Sequence, residues 1–452
     1  MRQKNFALAL LTAAALAACG GTGSSGGDQS HPISFSQQVT FGDSLSDVGT
    51  YNVGAVKAAG GGKFSINGSE TSKDPALTGL NWTEVLAAEL RLPAPCAAQT
   101  GLEGTNNDAN PALDFNVPIV NNANCFNYAQ GGARVTNPIG PGNKVVKPEI
   151  GEMTVPVATQ VQMHLTKTGG KFSGTELVTI MAGGNDVLMQ LGQVSAAGTA
   201  AGQQAFPRLL ISGLAPLTTN PAAALPLIQQ AVAANAAGGQ TAIVTAAVGV
   251  AVSQGAALDA ARAAAAKAGT DAQAEGAKAA AAYASANAQT LVAELGKAGA
   301  EKAAIVKSQI VAKGAKYVVV NNLPDVANTP SGRAQPALQP LIDTMVNAFN
   351  TQLKAGLGND PAILYVDLYS ISRDQMTNPK TQEIYGLSNV TTPACDLANP
   401  AVKETSLLCT TRTLVAGDTA HFMYADSIHP TPYEYWLIAR YILKDMAVKG
   451  WL

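Results

Sequence analysis

Short apolar runs separated by polar, turn-rich stretches organise this chain. Residues 39–41, 176–181, 317–320 and 362–368 are near-continuous apolar runs of strand length. That pattern marks strands buried on both faces of a parallel sheet. Between them the period changes. Trp82, Val85, Leu86 and Leu90 recur on one face, which predicts a helix over 82–90, and further helices are expected over about 279–312 and 340–355. Strands alternating with helices define an α/β fold with a parallel sheet. Residues 194–278 break the pattern, being rich in Ala and Gly and nearly free of aromatics. Alanine is the best helix former, so a helical insertion on the α/β core is expected there, without the period of a solenoid or propeller. Either it caps a site on the core or it is a passive low-complexity segment.

Composition narrows the class. The chain has 452 residues, 47% hydrophobic and 13% charged, which supplies a large core and excludes a disordered chain. Net charge is −2 and no Lys/Arg block stands out, which argues against nucleic acid or an anionic membrane as an electrostatic partner. No stretch offers the roughly 20 consecutive strongly apolar residues that span a bilayer. At the N-terminus, Arg2 and Lys4 precede an apolar run over 6–18 that ends in Leu16-Ala17-Ala18-Cys19. This resembles a bacterial lipoprotein signal peptide. It implies removal of residues 1–18, lipidation of Cys19, and a membrane partner through that anchor. An ordinary secretory peptide with an incidental Cys is the alternative. Gly20 after Cys19 fits outer-membrane sorting in the lipoproteins it resembles. Residues 19–37 read as a flexible tether and 38–452 as the main domain.

Without Cys19, Cys96, Cys125, Cys395 and Cys409 remain, an even set in an exported chain, which reads as two disulfides. Three connectivities exist; short loops favour Cys96–Cys125 and Cys395–Cys409. A zinc site is the competing reading, but it lacks a C-x₂-C pair and a neighbouring His.

The first strand ends in Gly42-Asp43-Ser44-Leu45-Ser46-Asp47. Such a cluster is ordinary turn chemistry, unless Ser44 is a nucleophile, which needs a base held by a third group. Of the four histidines, His31, His164, His421 and His429, the first lies in the tether and the second sits in a helical pattern, where a lone His is more often structural than catalytic. His429 stands in Asp426-Ser427-Ile428-His429-Pro430, where one tight loop brings a carboxylate to the imidazole. Donors for an oxyanion could come from Asn127-Tyr128-Ala129-Gln130-Gly131-Gly132-Ala133 or from Gly183-Gly184-Asn185-Asp186, each also readable as a Gly-rich turn. A G-x-S-x-G at Gly23, Ser25 and Gly27 has no strand before it and no helix after it, and is discarded.

Taken together and in this order, FGDSLSD, NYAQGGA, GGND and DSIHP resemble the four signature blocks of the SGNH, or GDSL, hydrolase family. Leu323-Pro324-Asp325 and Tyr385-Gly386-Leu387 are similar to segments of its lipase/acylhydrolase branch. The resemblance covers about Val39 to the C-terminus, minus the Ala-rich insertion. It implies a flavodoxin-like three-layer α/β/α sandwich. It further implies Ser44 as nucleophile, His429 as general base and Asp426 as its orienting partner. The oxyanion donors would be the N–H groups of Ser44 and Gly132 and the side chain of Asn185. The implied reaction is hydrolysis of carboxylic acyl esters through an acyl-enzyme, with neither metal nor cofactor. The size of the segment between Asn185 and Leu323 departs from the family pattern and bears on substrate access. Alternatives are a carbohydrate O-deacetylase of the same family, a catalytically silent envelope-binding lipoprotein, and a structural envelope protein. The low aromatic content, 5%, favours acyl chains over sugars.

Overall fold

The computed structural model describes residues 33–452, Asp108 excepted. The signal segment, Cys19, His31 and the discarded serine motif lie outside the described residues. The fold is mixed α/β. Strands β1 (Gln38–Gly42), β4 (Leu177–Met181), β5 (Tyr317–Asn321) and β6 (Ile363–Val366) form a wholly parallel sheet in the order β1-β4-β5-β6. An antiparallel ribbon of β2 (Gln99–Glu103) and β3 (Asn116–Asn121) stands apart from it. On the outer side of β1, Thr40 bridges Asn127 in parallel. The backbone N–H of Thr40 donates to Phe126 O at 3.0 Å and that of Tyr128 to Thr40 O at 2.8 Å.

Helices α1 (Trp82–Glu89), α2 (Val157–Lys167), α3 (Gly184–Leu214), α4 (Pro221–Ala234), α5 (Gly239–Ser253), α6 (Leu258–Ile305), α7 (Gln339–Leu357), α8 (Leu368–Thr377) and α9 (Pro432–Val448) complete the principal elements. Strand side chains alternate between two apolar cores. Val39, Phe41, Val178, Ile180, Val318 and Val320 pack with α2, α3, α6 and α7. Leu177, Met181, Val319, Leu364 and Val366 pack on the other face with α1 and α9. Each fully buried side chain of this size stabilises the fold by on the order of 2 kcal/mol. The two threonines of the parallel sheet are satisfied: Thr40 and Thr179 hydroxyls bond at 2.9 Å, and Gln38 Nε2 donates to Thr40 Oγ1 at 3.2 Å.

Two expected boundaries move. The run expected to end at 368 stops at Val366, because the Asp367 carboxylate accepts from the Ser370 N–H at 3.2 Å and caps α8. The helix expected to start near 279 begins at Leu258, since nothing in the Ala-rich sequence interrupts it. The expected insertion bounds, 194 and 278, therefore lie inside the continuous helices α3 and α6.

These two helices form an antiparallel arm. The Tyr283 hydroxyl donates to Gln193 at 3.3 Å, while a Cβ on Gly198 would lie 2.9 Å from Gly276 O and one on Gly213 would lie 3.6 Å from Ala264. Lys302, fully buried near the end of α6, donates to Ala182 O at 3.2 Å and Asn321 O at 2.7 Å, just past the ends of β4 and at the end of β5. The chain after Lys302 runs down beside the sheet to β5. The chain before it stands beyond the carboxyl edge. α6 has 48 residues, a length of about 72 Å. α4 and α5 pack on the outer part of the arm around Phe206, Leu210, Leu214, Ile228 and Ala247. Residues 209–258 contain no Asp, Glu, Lys, Arg or His. Contrary to the sequence expectation, Ala236–Ser253 is long and apolar enough to cross a bilayer by length and composition, with mean hydropathy 1.4. Four valines, one isoleucine and six alanines give it that character, and Ile243, Ala247, Val248 and Ala251 are buried in the lobe.

The disulfides are Cys96–Cys125, with Cα atoms 5.0 Å apart, and Cys395–Cys409, at 6.0 Å, the pairings that short loops favour. The second encloses a sequence separation of 14. A loop of that size restricts the unfolded chain enough to contribute about 3 kcal/mol. Replacing both Cys395 and Cys409 with Ser is therefore expected to lower the urea midpoint by an amount corresponding to about 3 kcal/mol. An unchanged midpoint would refute this.

Candidate active site

The carboxyl end of β1 is a tight passage. A Cβ on Gly42 would lie 2.4 Å from Met181 O, so only glycine lets the strand leave the sheet here. Gln160, buried in α2, replaces the missing strand partner: the Gly42 N–H donates to its Oε1 at 2.8 Å, and its Nε2 donates to Gly42 O at 2.8 Å. The following turn is closed by the Ser46 N–H donating to Asp43 O at 3.0 Å and the Leu45 N–H to the Asp43 carboxylate at 3.1 Å. Ser44 stands at its apex, 7% exposed.

The late DSIHP loop reaches this turn. His429 Nδ1 lies 2.7 Å from Asp426 Oδ2, and His429 Nε2 lies 2.9 Å from Ser44 Oγ. With Nδ1 donating to the carboxylate, Nε2 is the acceptor for the Ser44 hydroxyl. The loop fixes its own geometry: Asp426 Oδ1 accepts from the N–H groups of Ile428 at 2.9 Å and His429 at 2.8 Å. Asp426 Oδ2 also accepts from the Ser406 N–H at 2.9 Å. The Phe64 ring packs 5.0 Å from the imidazole. Burial by itself would raise the Asp426 pKa, but the neighbouring His429 and these hydrogen bonds outweigh it and hold the carboxyl well below its usual range. Burial would lower His429, yet the Asp426 carboxylate outweighs it and raises the imidazole above its ordinary value.

The other two blocks meet the same edge. Gly132 has φ +73°, in the region favoured by glycine, and a Cβ there would lie 2.6 Å from Thr154 Cγ2. Asp47 ties its loop to the Ser44 turn, accepting from the N–H groups of Gly49 at 2.9 Å, Thr50 at 2.7 Å and Gly131 at 2.9 Å. Asn127 Nδ2 donates to Ser46 O at 2.9 Å. Asn185, in the first turn of α3, donates to Ala133 O at 2.8 Å, which leaves one amide proton free. Asp186 holds the same segment by accepting from Arg134 Nε at 2.9 Å and the Val135 N–H at 3.1 Å. Among the described residues the backbone N–H groups of Ser44 and Gly132 donate to no protein acceptor.

All five residues singled out by the motifs thus gather at one sheet edge. His164 does not. It is fully buried among Phe41, Tyr128 and Phe172, where burial lowers its pKa to about 4. His421 stacks on Tyr433. Several residues escaped the sequence reading. Gln160 and the Ser406 N–H act through distant segments that carry no motif. Asp47 and Asp186 stood inside the quoted blocks, and a carboxylate beside a Gly-rich turn is the signal that could have marked them. Glu152 has its carboxylate beside Gly132, where burial raises its pKa to about 7. Buried Asp43 is raised to about 6, while burial lowers Lys302 to about 7 despite the opposing pull of Asp43 and Asp186. Among the described residues no three or more His, Cys, Asp and Glu side chains are grouped as a metal site.

Neither family models nor curated proteins match this chain.

Proposed function

We propose that this protein is a serine hydrolase of carboxylic acyl esters. The observation that carries the reading is the unbroken chain Ser44 Oγ–His429 Nε2, His429 Nδ1–Asp426 Oδ2, at 2.9 and 2.7 Å. His429 takes the Ser44 proton as Oγ attacks the ester carbonyl carbon. The tetrahedral oxyanion is held by the N–H groups of Ser44 and Gly132 and the free amide proton of Asn185. Collapse expels the alcohol, which leaves with the proton from His429, and an acyl-Ser44 ester remains. Water, deprotonated by His429, then attacks that ester, and Ser44 leaves with the returned proton. Asp426 stays ionised and holds the imidazole in the required tautomer.

Fold geometry supports membership of the SGNH hydrolases. Counting the Asn127 segment beside β1, the sheet order becomes the 2-1-3-4-5 of flavodoxin-like folds, with helices on both faces as a three-layer sandwich requires. Ligands in such sheets bind outside the carboxyl ends of the strands, where these residues lie. The two disulfides support an oxidising compartment outside the cytoplasm. The envelope anchor rests on Cys19.

Steady-state hydrolysis of short p-nitrophenyl esters by the full chain tests the reading, and activity no higher than the buffer blank would sink it. The pH profile adds a second test. A protonated imidazole cannot accept the Ser44 proton, so kcat/KM should fall as pH drops through the His429 pKa. Its partner Asp426 raises that pKa above 6.5, and the nearby Asp43 and Glu152 carboxylates act in the same direction. An apparent pKa above 6.5 is therefore expected on the acid limb, belonging to the coupled set and not to one group. A profile flat down to about pH 5 would contradict it.

A further inference from the structure

α3 joins the proposed oxyanion site to the helical arm. Asn185 and Gln203 are eighteen residues apart, five turns at 3.6 residues each, so they face the same way about 27 Å apart. Between them this side carries Leu188 and Met189, half-buried, and the exposed Gly192 and Thr199. A Cβ on Gly192 would meet nothing within 4 Å, so the track is open. Residues 187–207 contain no ionisable side chain.

The track leads into a cleft of about 980 Å³, bounded by α3, the α6 residues Ala272 and Gly276, the start of α5 and the loop 334–338. Its walls mix Phe206 and Ile243 with the uncharged polar groups of Thr199, Gln203 and Gln240, and no lining residue is ionisable. One wall is coupled to the catalytic loop: just before 334–338, the Ser331 N–H donates to the backbone O of Ser427, between Asp426 and His429, at 3.0 Å. A charged group entering this cleft would give up part of its hydration and find no counter-charge among the lining residues. A neutral hydrocarbon chain would instead gain from every apolar contact.

Resting on the esterase reading above, we propose that the cleft holds the distal part of a long uncharged acyl chain whose ester carbonyl lies at Ser44. The near edge of the cleft, at Val194 and Ser195, is nine to ten residues along α3 from Asn185, about 15 Å. An extended chain advances roughly 1.2 Å per bond, so about twelve carbons are needed to enter. Acetyl and butyryl groups end far short of it. The arm is then part of the substrate site and sets chain-length preference.

The test uses the full chain and two variants at exposed positions, Thr199→Trp, which narrows the cleft, and Gln203→Glu, which adds a charge at nearly constant shape. The readout is the ratio of kcat/KM for p-nitrophenyl palmitate to that for the acetate. Both variants should lower this ratio at least about tenfold. An unchanged ratio, whether both activities hold or both fall, overturns the cleft while Ser44-dependent acetate hydrolysis leaves the esterase reading intact. Should no ester be hydrolysed, binding of a pyrene-labelled long-chain alcohol decides the cleft separately. Binding by the unaltered chain that weakens about tenfold in Gln203→Glu supports the site, and no binding or equal binding overturns it.

Discussion

Ser44→Ala is expected to lower kcat/KM for p-nitrophenyl butyrate by about 10⁴- to 10⁶-fold while leaving the fold intact. The loss is large because the other groups act only through the hydroxyl. His429 Nε2 has its hydrogen bond to Ser44 Oγ at 2.9 Å, and among the described residues it has no second hydrogen-bond partner. Alanine keeps the backbone N–H at position 44, so one oxyanion donor survives, and the residual rate should reflect binding and the oxyanion site alone. Folding is spared because the turn is held by backbone bonds: Asp43 N–H to Met181 O at 3.2 Å and Ser46 N–H to Asp43 O at 3.0 Å. An unchanged urea midpoint beside the lost activity is the expected pair of results. A loss below about tenfold would mean that some other group attacks the ester.

Asp426→Asn should cost about 10⁴-fold in kcat, with KM little changed. Asp426 Oδ2 accepts from both His429 Nδ1 and the Ser406 N–H, at 2.7 and 2.9 Å. Asn cannot accept at both carboxylate positions, and Oδ1 already accepts from two backbone N–H groups. The amide NH₂ therefore meets either a backbone donor or the imidazole, which favours the tautomer with the proton on Nε2. That nitrogen then cannot take the Ser44 proton. Stability should follow in a defined pH window. The folded carboxyl is held below its ordinary 3.8, so its ionised form stabilises the fold above that pH and the contribution fades as pH falls through the folded value. The stability difference between unaltered chain and variant should thus be full at pH 7 and shrink below about 3.8. A variant retaining more than about a tenth of the activity would remove Asp426 from the mechanism.

Much of the sheet was legible because its strands are short, apolar and stopped by turn residues. Runs such as 176–181 have little alternative to a buried parallel strand. Ser44, Asp426 and His429 could be read because a nucleophile needs a base held by a carboxylate. Gly132 and Asn185 each sit in a Gly-rich turn that alone says little, and were marked by the resemblance of the ordered blocks to the SGNH hydrolases. What depends on tertiary contact leaves no mark on the local pattern of residues. Gln160 looks like any polar residue in a helix until it is found bonding both backbone groups of Gly42. The Ser406 N–H that holds Asp426 comes from a loop with no motif, braced by the Cys395–Cys409 bond. The arm was legible as helical but not as an arm. Alanine propensity predicts helix without direction, and only the buried Lys302 at the strand ends fixes where α6 crosses the sheet edge. The β2–β3 ribbon was missed because Asn116–Asn121 is exposed and carries no clean alternation.

The most direct test of the central claim is covalent trapping. An alkyl fluorophosphonate loses fluoride as an activated serine forms an O–P bond, giving a stable mimic of the tetrahedral intermediate. Mass spectrometry of the digested protein should place one adduct on the peptide that contains Ser44, with activity lost in proportion and no adduct in Asp426→Asn on the same timescale. An adduct on a different serine, or full ester hydrolysis by a protein that never becomes labelled, would contradict the account.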